Sequence, residues 1–349
     1  MKRISVILLM LLLCGCEIKE LENRDFVLQL LIDKKSEYSC QVGVAEFSSQ
    51  EGDSLVRMNF FNGSGQTIAN ALEEINSNSS GQLYFGHTQL CIISVDALKN
   101  EETLKELIDL SERNQELNRR ILLTATDTPT AFSQDNKGEI YALVKEYYSG
   151  NSNYKNRNIM LDLGRVTKQL LETDNCIIPI LHKEEENISI ERCAVINNYT
   201  YVGETTKQQS KSIMWLTEYE KPEDVINIRV NNITAVIRLR QTGIERIAYK
   251  DKLVINIKAQ GEVYEYILGK GLRNKDIENM TEEELKKQLY SCLSFLQKEC
   301  KTDCIGIKEL YRKNNYGVYL NNRDNIDEFV NNLPVEINVQ VDFKEKSIS

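Results

Sequence analysis

Residues 90–95 read Leu90-Cys91-Ile92-Ile93-Ser94-Val95, an apolar run with the length of a buried strand. A helix is predicted after this strand, because Leu104, Leu107 and Ile108 recur three or four positions apart and share one helical face. Residues 121–125 are again apolar and predict a returning strand. The order strand, helix, strand predicts a mixed α/β module in this part of the chain.

The same alternation extends toward the N-terminus. Residues 26–33 predict a buried strand and residues 40–47 an alternating one. Residues 63–65, which read Gly-Ser-Gly, are predicted to form a loop before a helix at residues 67–75. The predicted buried face of that helix consists of Ile68, Ala71, Leu72 and Ile75. These elements predict an N-terminal mixed α/β domain over residues 16–185.

A polar, acidic run at residues 183–187 predicts a boundary, with a second domain over residues 186–349. Strands dominate this second part. The first two are predicted as a hairpin around an Asn197-Asn198 turn. The predicted strands lie at residues 193–196, 199–202, 225–239 (with breaks), 252–259 and 335–343.

A long amphipathic helix is predicted near the C-terminus. Thr281 is its predicted N-cap, because Glu284 stands three residues on, as in a capping box. The apolar stripe, interpreted as core, consists of Leu285, Leu289, Leu293, Leu296 and Cys300. The second domain is therefore predicted as an antiparallel sheet packed by a long helix, with a further division near residue 268 left open. The fold class predicted for the whole chain is α+β.

Composition and charge narrow the functional classes. The chain has 349 residues, 41% hydrophobic and 27% charged, which is typical of an ordinary folded protein of about two domains. Lysine and arginine number 43 against 52 aspartates and glutamates, so the net charge is −9. Nucleic-acid affinity comes largely from neutralising phosphates, so nucleic acid is excluded as an expected partner.

The first sixteen residues predict an exported lipoprotein. A basic segment, residues 1–3, precedes residues 4–13, which are apolar except for Ser5. Ten helical residues rise about 15 Å, half of a bilayer core, so residues 1–15 are interpreted as a signal peptide and not as a membrane span. The segment Leu13-Cys14-Gly15-Cys16 resembles the bacterial lipobox, and Cys16 is then the acylated first residue of the mature chain.

The sequence leaves two alternatives to a lipid site at Cys16. Cys14 is disfavoured as the acceptor, because Leu13 directly before it is too large for the cleavage position. The other alternative is an ordinary secretory signal with two incidental cysteines. Lipid attachment at Cys16 predicts a protein tethered to a membrane by its N-terminus, on the side away from the cytoplasm.

The remaining cysteines predict neither a disulfide framework nor a metal site. Seven cysteines follow Cys16. An odd number cannot all pair, and their spacing in the sequence is irregular. Cys292, Cys300 and Cys304 lack the common two-residue knuckle spacing and have no histidine nearby in sequence. No metal ligand and no cofactor-binding residue is predicted.

No catalytic residue is predicted either. Gly52-Asp53-Ser54-Leu55 matches an esterase nucleophile signature, but that chemistry needs a histidine, normally with an aspartate three residues before it. Neither His87 nor His182 has one, so the segment is interpreted as a turn. His87 is interpreted as a hydrogen-bonded structural residue.

Several segments of the chain occur in a recognisable order. They are residues 15–28, Gly86-His87 with the strand after it, residues 116–120 (Glu-Leu-Asn-Arg-Arg), residues 203–206 with Trp215-Leu216, and Gln297 with Asp303-Cys304-Ile305-Gly306-Ile307. In this order they resemble the Ger(x)C family, the lipoprotein C subunits of nutrient germinant receptors in endospore-forming bacteria. The chain departs from the family at Glu17-Ile18, where Trp-Asp is usual, and at Ile307, where a second glycine is usual.

The resemblance implies a non-catalytic subunit of a membrane receptor. Its implied partners are an A-type and a B-type integral membrane subunit in the spore inner membrane, with this chain on the outer face. The implied role is in the response to small nutrients, and direct nutrient binding by this subunit stays open. The alternative functions are a solute-capture lipoprotein of a transporter and an envelope hydrolase.

Overall fold

The computed structural model describes residues 24–46, 57–79, 81–114, 116–133, 140–141, 144, 159–184, 187–217, 221–230, 233–267 and 274–343. The strands and helices of the first part are β1 (Arg24–Lys34), β2 (Tyr38–Glu46), β3 (Arg57–Gly65), α1 (Ile68–Asn78), β4 (Gln82–Tyr84), β5 (Leu90–Ser94), α2 (Val95–Leu98), α3 (Glu101–Arg113), β6 (Leu122–Thr126), α4 (Pro129–Phe132), α5 (Leu163–Thr173), β7 (Asn175–Glu184), β8 (Asn187–Asn197), β9 (Thr200–Glu204) and α6 (Lys207–Leu216).

The later elements are β10 (Glu223–Val230), β11 (Ile233–Ala248), β12 (Leu253–Ile267), α7 (Asn274–Ser294), α8 (Ile307–Asn314), α9 (Tyr316–Asn321), α10 (Ile326–Asn332) and β13 (Val335–Phe343). A π-helical turn, Phe295–Glu299, extends α7. None of the helices in the described ranges is long and apolar enough to cross a membrane.

The first sheet has the strand order β3-β2-β1-β5-β6-β7-β8-β9, and β4 pairs with β1. Its centre is parallel, from β1 through β5 and β6 to β7, and its flanks are antiparallel. Strands β1, β2, β5 and β6 and helix α3 occur where the sequence predicts them. The prediction of a mixed α/β module is therefore confirmed.

Helix α1 has the predicted buried face, with Ile68, Ala71, Leu72 and Ile75 all buried. The loop predicted at residues 63–65 is wrong, because these residues end strand β3. A Cβ atom on Gly63 would lie 2.4 Å from the carbonyl oxygen of Ala71. The glycines of this segment therefore reflect close packing of α1 on a strand and not a flexible turn.

The first sheet continues across the expected domain boundary. Strands β7 and β8 pair antiparallel on either side of it, with Glu184 opposite Asn187. How the chain divides into folding units stays a prediction. The predicted hairpin between β8 and β9 is confirmed, but its turn is Asn198-Tyr199, with φ of 48° and 63°, one residue later than expected.

The second sheet has the strand order β10-β11-β12-β13. The α+β class is confirmed, but the expectation of an antiparallel sheet is wrong for its last strand. Strand β13 runs parallel to β12, from Leu253 opposite Val335 to Gly261 opposite Phe343. The helices α7 to α10 lie between these two strands in sequence, and such a crossover returns the chain in the same direction.

Helix α7 carries the predicted stripe, and Leu285, Leu289, Leu293, Leu296 and Cys300 are all buried. Thr281 is not its N-cap, because α7 begins at Asn274. The buried Thr281 hydroxyl instead donates to the carbonyl oxygen of Ile277 at 2.7 Å, within the helix. The helix starts earlier because the apolar stripe continues upstream to Ile277, which is also buried.

The predicted packing of α7 on the last strand is confirmed. The backbone nitrogen of Ile337 donates to the Tyr290 hydroxyl at 2.9 Å, and that of Val341 donates to Glu282 at 3.0 Å. Both acceptors lie on α7. The helix therefore covers the apolar face of β13. Its side chains also accept hydrogen bonds from backbone donors along the outer edge of that strand.

Candidate functional site

A cavity of about 350 Å³ lies where the parallel strands β5 and β6 begin. Its polar lining comes from His87, Gln89, Asn118 and Arg120. Its apolar lining comes from Leu90, Leu122, Tyr141 and Val144. Two segments that carry the family resemblance, residues 86–94 and 116–120, therefore meet at one cavity, which we call the Arg120 cavity.

Backbone and side-chain bonds hold the first of these segments in place. The Thr88 hydroxyl donates to the carbonyl oxygen of Val27 at 3.1 Å. The backbone nitrogen of Gln89 donates to the carbonyl oxygen of Leu28 at 2.9 Å. The backbone nitrogen of Leu122 in turn donates to the Gln89 carbonyl oxygen at 2.9 Å. The turn before β5 is thus fixed to β1 and β6.

A second turn positions Arg120. The side chain of Asn118 accepts a hydrogen bond from the backbone nitrogen of Arg120 at 2.9 Å. The carbonyl oxygen of Asn118 accepts another from Ile121 at 3.1 Å. This local turn sets Arg120 at the mouth of the cavity, directly before β6.

The neighbouring arginines differ in their partners. Arg119 pairs with Glu112 on the surface. Within the described ranges, no carboxylate pairs with the exposed Arg120 guanidinium, and none of the residues lining the cavity is acidic. The mouth of the cavity is therefore positively charged in a protein whose net charge is −9.

In the described ranges His87 makes no hydrogen bond, so the bond predicted from the sequence is not found there. His87 is exposed, and its ring packs at centroid distances of 5.4 Å from Phe26 and 5.7 Å from Tyr84. The guanidinium of Arg24 lies 4.8 Å from the centre of the Tyr84 ring. His87 therefore lies in a short turn after Gly86, where its described contacts are with aromatic rings.

A second polar cluster contains the other histidine. The Nδ1 atom of His182 lies 2.8 Å from Asp127, which also accepts from Arg192 at 2.6 Å. Arg192 extends the chain of charges to Glu204 at 2.5 Å. Burial alone would raise the pKa of Asp127, but hydrogen bonds from His182 and Arg192 outweigh it and lower this pKa.

Sequence reasoning missed this cluster because Asp127 and His182 are 55 residues apart. The end of β6 pairs with β7 at Leu181, one residue before His182, and the sequence carries no local signal of this pairing. A histidine-aspartate pair can serve acid-base chemistry when a nucleophile adjoins it. In the described part of the chain, His182 has no hydrogen bond to a hydroxyl or thiol, and residues 52–55 lie outside that part.

The segment 303–307 forms a structural turn beside a second cavity, of about 320 Å³. The buried Asp303 carboxylate accepts hydrogen bonds of 2.7 Å from the backbone nitrogens of Ile307 and Lys308 at the start of α8. Burial raises the pKa of Asp303, against the opposing effect of these two bonds. Gly306 adopts a φ of +73° in the turn, a conformation that favours glycine.

The other segments behind the resemblance are structural as well. Gln297 donates from its side chain to the carbonyl oxygens of Val330 and Leu333, at 2.9 and 3.1 Å. Thr206 forms a capping box with Gln209 at the start of α6, and Trp215 is buried within that helix. Cys16, the signal segment and residues 17–23 lie outside the described ranges.

All seven cysteines of the described ranges are buried free thiols. Burial raises their pKa values, to about 12 for Cys40 and Cys193 and to about 11 for Cys300. Cys292, Cys300 and Cys304 are part of no cluster of three or more metal-ligating side chains in these ranges.

Comparisons with known proteins cover almost the whole chain. Residues 17–183 match the model of the spore germination protein N-terminal domain, and residues 191–346 match that of the spore germination B3/GerAC-like C-terminal domain. Among solved structures, the "Crystal Structure of the GerBC protein" is similar, with a TM-score of 0.58 and 14% identity over 90% of this chain and 97% of that chain. At this identity the structural likeness shows the fold. No curated protein matches the sequence.

Proposed function

Because the chain belongs to the Ger(x)C family of spore germinant receptor C subunits, we propose that it is a non-catalytic, lipid-anchored receptor subunit that assembles with A-type and B-type membrane subunits. The observation that carries the proposal is the extent of the match. The two family domains follow Cys16 directly and together occupy residues 17–183 and 191–346. The proposed location is the outer face of the spore inner membrane.

The sequence around Cys16 supports the anchor. The basic residues 1–3, the apolar residues 4–13 and the lipobox-like Leu13-Cys14-Gly15-Cys16 occur in the order that lipid attachment requires. A single acyl chain binds membranes only marginally, so stable anchoring needs the several chains that such a cysteine carries.

The bonding of Asp127 supports a non-catalytic role. Its two carboxylate oxygens are shared between His182 and Arg192, and Arg192 also binds Glu204. The cluster joins the end of β6 to β7, β8 and β9. These ion pairs therefore hold four neighbouring strands together, which is a structural role.

Substitution of the acceptor cysteine tests the anchor. Cys16→Ala should move the protein from the membrane fraction to the soluble fraction, while Cys14→Ala, which places a common lipobox residue, should leave it membrane-bound. Mass spectrometry of the wild-type N-terminus should find lipid on Cys16. An unmodified N-terminus, or release by Cys14→Ala alone, would contradict the assignment.

Co-purification from spore membranes tests the assembly. The tagged chain should bring down two polytopic membrane proteins, in amounts that fall when Cys16 is replaced. Recovery with the subunits of a transporter instead would favour the solute-capture alternative. That alternative usually has two similar lobes, whereas the two sheets here differ in strand number and order.

A further inference from the structure

We propose that the Arg120 cavity binds a small carboxylate with an apolar body. This site does not depend on receptor assembly, because its residues all lie in this chain and binding is measured on the chain alone. Charge, lining and size each support the assignment.

The charge distribution favours an anion. The chain has 52 acidic residues, yet none of the ten described residues that line the cavity is acidic. Arg120 lies at the mouth, and in the described ranges its guanidinium has no carboxylate partner. A guanidinium presents paired donors that match the two oxygens of a carboxylate, so a free arginine at a cavity mouth is suited to bind one.

The lining favours an apolar body on the same molecule. Leu90, Leu122, Tyr141 and Val144 are all buried and line the cavity. Leu90 and Leu122 are register partners in adjacent parallel strands, so their side chains lie on one face of the sheet. A branched aliphatic or aromatic group in the cavity would lie against these side chains, and burial of the group's own apolar surface would add to the affinity.

The volume limits the size of the ligand. Ligand cavities span about 300 to 1,000 Å³, and the cavity of about 350 Å³ is near the lower end of that range. A molecule of roughly amino-acid size fits within this volume.

A buried glutamine, Gln29, lies on the same face of the sheet as Leu90. Gln29 is 1% exposed, and in the described part of the chain neither atom of its side-chain amide has a hydrogen-bond partner. It is the register partner of Leu90 in β1, so it lies on the face of the sheet that lines the cavity. A carboxylate oxygen or a water molecule that reached this amide would offset the cost of leaving it without a hydrogen bond.

Calorimetric titration of the full chain with isocaproate tests the proposal, with the neutral isocaproamide as the matched probe. Isocaproate should bind at least about tenfold more tightly than the amide, because only the acid pairs with the guanidinium. Arg120→Gln should remove that preference. Arg119→Gln, one residue away and paired with Glu112, is the control and should keep it.

Three results would overturn the proposal: no measurable binding of isocaproate, equal binding of acid and amide, or equal weakening by the two arginine substitutions. Equal weakening would mean that general charge attraction holds the acid. Arg120 is exposed, so the melting temperature of Arg120→Gln should match that of wild type, which separates lost binding from lost folding. Loss of this site would leave membrane anchoring and co-purification unchanged, so the two proposals fail independently.

Discussion

The Asp303 carboxylate accepts a hydrogen bond of 2.7 Å from the backbone nitrogen of Lys308. The same carboxylate accepts a second from Ile307, so it satisfies two of the free donors at the start of α8. Lys308 donates from its side chain to the carbonyl oxygen of Thr173 at 2.9 Å. The turn at Asp303 therefore joins α8 to the end of α5, and it links segments matched by the two family domains.

Asp303→Ala should lower the free energy of unfolding by about 1 to 3 kcal/mol, because it removes two buried hydrogen bonds to a charged acceptor. Asp303→Asn should cost less, since one amide oxygen still accepts. Urea denaturation of the full chain measures the difference. Asp324→Ala, at an exposed position, is the control. Equal stability of Asp303→Ala and the control would refute the capping role.

Gly63→Ala should be destabilising by about 1 to 3 kcal/mol, since its methyl group would overlap α1. A Cβ there would lie 2.4 Å from the Ala71 carbonyl oxygen and 2.7 Å from a side-chain carbon of Ile75. Gly243→Ala is the matched control in another strand, where a Cβ has no neighbour within 4 Å. Thermal melts of both variants compare the two sites, and a smaller loss for Gly63→Ala than for Gly243→Ala would contradict the packing.

Local sequence patterns predicted the elements in which buried residues recur every few positions along the chain. Helix α1 shows this, because Ile68, Ala71, Leu72 and Ile75 define its face without reference to the rest of the chain. Strand β3 has no such pattern, since its Gly63 is dictated by a helix packed against it. The parallel direction of β13 depends likewise on where α7 to α10 lead the chain.

Only part of the candidate site could be predicted from the sequence. Residues 86–89 and 118–120 each precede a predicted strand, and neighbouring parallel strands begin at the same edge of a sheet. That reasoning brings His87 near Arg120 once the strand order is known. His182 pairs with Asp127 across 55 residues of sequence, and the absence of acidic residues from the cavity's described lining depends on side-chain positions. Neither has a local signal.

The buried thiols should resist alkylation in the folded protein, because only the thiolate reacts and burial raises the pKa of each thiol. Cys300 should react first among them, since its pKa is raised only to about 11. Iodoacetamide treatment at mildly alkaline pH, followed by peptide mass spectrometry with and without denaturant, checks the order. Rapid labelling of Cys40 or Cys193 without denaturant would contradict it.

Glu309→Gln should lower the free energy of unfolding at neutral pH by about 1 kcal/mol, a small value because both cationic partners are half exposed. Hydrogen bonds from Arg312 lower the pKa of Glu309 from its ordinary value of 4.5 to about 2, and Lys313 adds to the effect. A lowered pKa stabilises the folded state above the unfolded value of 4.5, and this stabilisation is lost as the pH falls toward about 2.

Chemical denaturation of the wild type and Glu309→Gln across this pH range should therefore show two curves that converge on the acid side. A difference in stability that is independent of pH would mean that the loss comes from packing and not from the carboxylate charge.

Leu289→Ala should lower the free energy of unfolding by about 2 to 5 kcal/mol, because it leaves a cavity in a fully buried position. Leu289 is 0% exposed, in the stripe of α7 that packs on β13. Lys287→Ala, on the exposed side of the same helix, is the control for helix propensity and should change little. Melting of the purified chain tests the core assignment, and co-purification of membrane partners tests whether receptor abundance falls with stability. If Leu289→Ala melted like wild type while partner recovery was lost, the stripe would be a docking face and the core assignment would be wrong.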